Sequence, residues 1–201
     1  MTSDYTIDGI FPIPVYSTYR DSGLDSTEKK EIEDIIKEGY DPNLVQELST
    51  DTYIFDTKLK KLKEFIEQHI KLYVKEVINP REELNIYITQ SWVSVIRPSM
   101  DFFKHWHPNS VISGVFYIST MEIDQILFYS PLDDNELLKF GDPPICGYNV
   151  NDNQLIIFPS WLGHSVGKDE MATKDRISIS FNTFLKGTVG QKHDLTRLVL
   201  E

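Results

Sequence analysis

The segment RISISFNTF, residues 176–184, decides how this chain is read. Ile177, Ile179, Phe181 and Thr183 alternate with Arg176, Ser178, Ser180 and Asn182. Successive side chains on a strand point to opposite faces, so one face is apolar and the other carries a guanidinium, two hydroxyls and an amide. Two readings fit this pattern. One is an ordinary strand with a wetted outer face. The other is a strand whose polar face lines a ligand cavity inside a β-barrel. The rest of the chain has to choose.

Working outward, four more segments are rich in β-branched and aromatic residues and bounded by Pro, Gly, Asp or Asn. They are LNIYITQSWVSVI (84–96), SVISGVFYIS (110–119), DQILFYS (124–130) and NQLIIFP (153–159). Short strands at this spacing predict a mainly β fold, a barrel or a double-sheet jelly roll. The first 80 residues differ and predict helix. Asp25-Ser-Thr-Glu28 has the form of a capping box, and Ile32, Ile35 and Ile36 follow at helical spacing until Gly39. From Asp56 to Val77, Leu59, Leu62, Phe65, Ile66, Tyr73 and Val77 make one apolar face, and Asn79-Pro80 stops the helix. DGIFPIPVYSTY (8–19), with two prolines, predicts an extended edge segment. No repeat or linker divides the chain. We therefore expect one domain over residues 1–201: a helical part (1–80) packed on a β core (84–186), with a tail at 187–201.

Composition narrows the partners. The 201 residues are 40% hydrophobic and 25% charged, ordinary for a globular protein, and carry a net charge of −11. That charge argues against a nucleic-acid backbone or an anionic membrane as the main partner. No apolar run reaches the roughly 18 residues of a membrane span, and MTSDYTIDGI lacks the basic and apolar regions of a signal peptide. Cys146 stands alone, so no intrachain disulfide or Cys-rich metal knuckle is expected, and a reducing cytoplasm is the expected setting. Any metal must be held by His, carboxylate or water.

Three of the five histidines sit beside predicted strands. His105 and His107 are two residues apart, so on extended chain both rings face one side. His164 comes 57 residues after His107, just past the strand QLIIF. Two neighbouring ligands and a distant one suit a metal inside a barrel, where remote strands converge. Neutral imidazole suits iron, zinc, copper or nickel, and three protein ligands leave positions open for chemistry. Each histidine taken alone is as readily a hydrogen-bonded structural residue; His69 and His193 are read so. Trp92 and Trp161 line a substrate mouth or belong to the core. Asn109 and Asn182 orient ligands or cap turns and strands. Ser165 has no nucleophile elbow around it, and no phosphate loop or dinucleotide fingerprint occurs.

Taken in order, HWH (105–107), His164 and RISISF (176–181) resemble the Fe(II)- and 2-oxoglutarate-dependent oxygenases, the double-stranded β-helix superfamily that includes prolyl hydroxylases and aspartyl β-hydroxylase. The chain looks most like a branch found in marine bacteria and phages, through IFPIPVY, HWHPNSVISGVFYI, GYNVNDNQLIIFPSWLGHSV and RISISFN. The resemblance implies a jelly-roll, cupin-like fold and the cofactors Fe(II), 2-oxoglutarate and O2. It implies decarboxylation of 2-oxoglutarate to succinate and CO2, coupled to hydroxylation of a small-molecule or peptide substrate. His105 and His164 look like the iron-binding imidazoles. Arg176 looks like the partner of the distal carboxylate of 2-oxoglutarate, with Ser178, Tyr117 and Asn182 assisting. The chain departs from the pattern at the third ligand. If His105 comes first, the carboxylate position holds His107; if His107 comes first, it holds Asn109. Neither register gives two histidines and a carboxylate. The His105 register fits the spacing better, with His107 a third imidazole or a neighbour of the metal. Two rivals stay open: a cupin-like three-His metalloenzyme that does not use 2-oxoglutarate, and a non-enzymatic β-sandwich.

Overall fold

The computed structural model describes residues 12–41, 47–81, 84–98, 100, 102–131, 145–167 and 172–200. The first four residues of the predicted edge segment 8–19 lie outside them. Its remainder contains strand β1 (Tyr16–Tyr19). Helix α1 (Ser26–Glu38) starts at the predicted box: Asp25 accepts from the backbone N–H groups of Thr27 and Glu28, and Glu28 accepts from the Asp25 backbone. Glu28 is itself buried and paired with Arg20 at 2.8 Å. After the two-residue strand β2 (Glu47–Leu48), a short helix α2 (Ile54–Thr57) leads into α3 (Lys60–Tyr73). A π-helical turn (Val74–Ile78) closes that helix, and Asn79 in the left-handed region ends it. No helix among the described residues is long and apolar enough to cross a membrane.

Nine strands follow among the described residues: β3 (Asn85–Ile96), β4 (Phe102–His105), β5 (Ile112–Ser119), β6 (Gln125–Tyr129), β7 (Ile145–Asn149), β8 (Gln154–Pro159), β9 (His164–Val166), β10 (Arg176–Val189) and β11 (Leu198–Leu200). They form two antiparallel sheets. The larger runs β1-β8-β5-β10-β3-β2, with β11 paired to the far end of β10; the smaller runs β4-β9-β6-β7. The sheets face each other as an open jelly roll, as expected.

Two cores explain why the large sheet is buried on both faces. Leu62, Ile66, Ile70 and Tyr73 of α3 pack on Val93, Val95, Phe116, Leu155, Ile157, Ile179 and Phe181. On the opposite face, Tyr117, Ile156 and Phe158 meet Ile126, Phe128 and Leu162 between the sheets. The alternation of β10 is now assigned. Ile177, Ile179 and Phe181 face the helices, while Arg176, Ser178 and Ser180 line the cavity between the sheets. The polar face is the ligand-cavity face. At Gly114 of β5 a Cβ would lie 2.3 Å from Phe181 Cζ, so only glycine admits that ring.

Candidate metal and cosubstrate site

Short strands bring the histidines together. β4 and β9 pair antiparallel with His105 opposite His164, and β9 is held on its other side by β6. Beyond β4 the chain is tied to the turn between β8 and β9, because His107 N–H donates to the Ser160 carbonyl at 2.9 Å. The i, i+2 spacing turns both rings inward and leaves Trp106 59% exposed. Ring centroids stand 4.3 Å apart for His105 and His164, 5.1 Å for His105 and His107, and 5.0 Å for His107 and His164. One ring nitrogen from each lies within 4.8 Å of the others.

Hydrogen bonds decide which nitrogen that is. His105 Nδ1 faces the Phe103 carbonyl and His164 Nδ1 the Leu162 carbonyl, each at 2.9 Å. His107 Nδ1 faces Asn182 Oδ1. A neutral imidazole has one proton, and an acceptor at Nδ1 keeps it there, leaving the Nε2 lone pair for a metal. Burial keeps the rings neutral. It lowers the pKa of His105 and His107, and with repulsion from the two neighbouring imidazoles takes His164 down to about 3. Trp92 stacks on His107 at 6.1 Å, and Phe158 sets its edge on His164 at 4.7 Å. Three neutral, oriented nitrogen donors fit a divalent transition metal.

The other end of the same cavity holds Arg176, 5% exposed, with Tyr117 and Ser178. Arg176 donates to the Gln125 carbonyl at 2.8 Å, and its guanidinium lies 5.1 Å from the Tyr117 ring centroid. Ser178 and Tyr117 are cross-strand partners. Burial raises the Tyr117 phenol, so it remains a hydrogen-bond donor. Among the described residues no carboxylate forms an ion pair with Arg176. A buried guanidinium without a counter-charge is costly, so an anion bound in this cavity would be stabilised by Arg176.

Of the residues singled out in the sequence, His105, His107, His164, Tyr117, Arg176 and Ser178 line or meet in this cavity. Asn182 is engaged elsewhere, by His107 and Ser113. Asn109 sits exposed in a left-handed turn, outside the nitrogen cluster. Trp92 lines the cavity; Trp161 is 56% exposed on the turn before β9. Sequence reasoning read Ser180 only as part of the polar face of β10, and missed Ser94, an inward hydroxyl on β3, and the serines behind Asn182. Their one signal was alternation, read for β10 but not for β3.

Within one cavity of this jelly roll stand three oriented imidazoles and a buried arginine with no carboxylate partner among the described residues, an arrangement that suits a transition metal and an anionic cosubstrate. Residues 90–182 match the family described as "Putative 2OG-Fe(II) oxygenase", a segment that contains every one of those residues. Over that segment the chain is similar to 2-oxoglutarate-dependent non-heme iron oxygenases, and its three-histidine cluster fits a metal such as iron. A search of curated proteins returned no match. Solved structures share the fold. A 2OG-Fe(II) oxygenase family oxidoreductase from Burkholderia pseudomallei is 11% identical, with TM-score 0.55, covering 84% of this chain and 83% of its own. HygX from Streptomyces hygroscopicus, crystallised with nickel, 2-oxoglutarate and hygromycin B, is 10% identical with TM-score 0.57, covering 85% and 82%. A prolyl-4-hydroxylase from Pseudomonas putida is 10% identical with TM-score 0.55, covering 85% and 92%.

Proposed function

We propose that the whole 201-residue chain is one hydroxylase domain acting on a small molecule or peptide, with His105, His107 and His164 holding Fe(II) and Arg176 anchoring 2-oxoglutarate. The observation that carries this reading is the buried Arg176 guanidinium, unpaired among the described residues, in the cavity the three imidazoles share. A three-His enzyme without 2-oxoglutarate leaves that arginine without a purpose. When bound, the iron and its cosubstrate supply the oxidising chemistry, with succinate and CO2 as products and a C–H bond hydroxylated.

The chain's own residues bind and orient. Arg176 presents a planar fork to the distal carboxylate, and its Gln125 and Tyr117 contacts hold that fork in place. Ser178 and Tyr117 offer hydroxyls to the same group. Phe158, Ile126 and Trp92 keep the walls apolar, excluding water and strengthening the charge pairing. Trp106, between His105 and His107 in sequence, and Trp161, three residues before His164, are exposed and available to a substrate. The reducing cytoplasm suits both Fe(II) and a chain whose one cysteine, Cys146, is free.

The test of the ligand set is metal analysis. His105→Ala and His164→Ala, each folded by circular dichroism, are expected to lose stoichiometric Fe(II) and with it succinate formation. Iron retained at wild-type occupancy in either variant overturns the assignment.

A further inference from the structure

The three histidines are not locked in the same way. His105 and His164 give their Nδ1 protons to carbonyls two residues back, Phe103 and Leu162. Those acceptors belong to the backbone, and no side-chain substitution removes them. His107 alone depends on a side chain, the Asn182 amide on β10, 75 residues away. Behind it runs a row of hydroxyls. Ser113 donates to the same Asn182 oxygen at 2.8 Å, lies 2.8 Å from Ser160, and Ser160 lies 2.7 Å from Ser110. Ser110 is tied to the Thr183 backbone N–H at 3.2 Å.

Such a row is expensive unless every member is bonded, and Ser113 and Ser160 are 1% and 0% exposed. It also stands on rigid ground. Asn182 and Ser113 are cross-strand partners on β10 and β5, and Ser113 neighbours the end of β8 that leads into Ser160. An asparagine inside a strand is poorly suited to the fold and needs another reason. An oxygen that already accepts from Ser113 faces His107 Nδ1 as an acceptor, which places the ring proton on Nδ1 and frees Nε2. Trp92, stacked at 6.1 Å, fixes the remaining rotation of the ring.

We infer that Asn182, oriented by Ser113, Ser160 and Ser110, is a positioning residue that makes His107 the third nitrogen ligand, in the place where the usual facial triad carries a carboxylate. The inference rests on the proposed ligand set. It makes the site a neutral three-nitrogen face, one positive charge richer than a triad with a carboxylate. That explains how the chain departs from the usual pattern without losing the third ligand.

The experiment titrates Co(II), a spectroscopic stand-in for Fe(II), into the full-length protein, alongside nitrogen-detected NMR of the imidazoles without metal. His107→Ala is expected to weaken Co(II) markedly. Asn182→Ala is expected to weaken it by about 10- to 100-fold, the usual effect of losing a partner behind a metal-binding histidine. Asn182→Asp, which keeps an acceptor, is expected to restore wild-type affinity. In the NMR, His107 is expected to carry its proton on Nδ1 in wild type and Asn182→Asp, and to lose that preference in Asn182→Ala. A purely structural role would leave the tautomer unchanged. If Asn182→Ala fails to fold, Ser113→Ala takes its place, with an expected loss of about threefold, that of one neutral hydrogen bond. Unaltered Co(II) binding by His107→Ala would overturn the ligand set itself. A weakened His107→Ala beside an Asn182→Ala or Ser113→Ala variant with wild-type affinity and tautomer would overturn the positioning inference alone.

Discussion

Replacing Arg176 by methionine keeps most of the stem and removes the charge. The side chain is 5% exposed, so the carboxylate it would bind is desolvated along with it. Removing one partner from a buried, hydrogen-bonded charge pair costs roughly 2–5 kcal/mol, chiefly because the other charge is left unmatched. Ser178 and Tyr117 remain to donate, which places the expected loss near the middle, about 3 kcal/mol, or roughly 150-fold in 2-oxoglutarate affinity. Arg176→Lys retains a point charge but not the fork, and a loss of about tenfold is expected. Fe(II) binding should be nearly intact in both, since none of the three histidines stands on β10. The variant without cosubstrate should be no less stable than wild type, because an unpaired buried cation opposes folding. The assay is anaerobic calorimetry of 2-oxoglutarate into the Fe(II) protein, with thermal unfolding of the unliganded forms. Affinity within threefold of wild type for Arg176→Met, or iron lost in parallel, refutes the reasoning.

Two further expectations concern the scaffold. In Gly114→Ala the new Cβ would lie 2.3 Å from Phe181 Cζ and 2.9 Å from the Ile156 carbonyl, so the strand or the ring must move. A loss of about 1–3 kcal/mol is expected by urea denaturation, with Phe181→Ala costing about 3–5 kcal/mol, and an undiminished midpoint in either contradicts the packing described. Asp25 is held down at about pKa 2, first by the Lys61 ammonium and then by the helix-start N–H groups. Its folded value lies below the ordinary 3.8, so its contribution to α1 is present above that value and is lost as pH falls toward about 2. A carboxyl NMR titration that places Asp25 at its ordinary value would contradict the cap.

What could be read from the residues follows from how locally each feature is encoded. The period of two in Ile177, Ile179 and Phe181 needs no partner to be visible, and it gave β10 and the polarity of its inner face. The capping box of α1 is written within four residues, Asp25 to Glu28. By contrast β4 and β9 have four and three residues, too few to show a period, and exist because His105 and His164 pair across 59 positions of chain. The choice between an inward and a wetted face for Arg176 needed the second sheet. The Ser110, Ser113 and Ser160 row was illegible for a related reason. Serine ordinarily reads as surface or turn, and only the meeting of three strands makes these three serines one structure. The role of Asn182 likewise depends on a ring 75 residues distant.

The central claim is that one cavity holds Fe(II) on histidines and 2-oxoglutarate on Arg176. Visible absorption of the anaerobic protein tests it most directly. Adding 2-oxoglutarate to the Fe(II)-loaded wild type is expected to raise a weak metal-to-ligand charge-transfer band that saturates at one equivalent per chain. The band should be absent in His164→Ala and shifted to much higher 2-oxoglutarate concentration in Arg176→Met. A wild-type spectrum that 2-oxoglutarate leaves unchanged, with iron shown to be bound, would contradict the account.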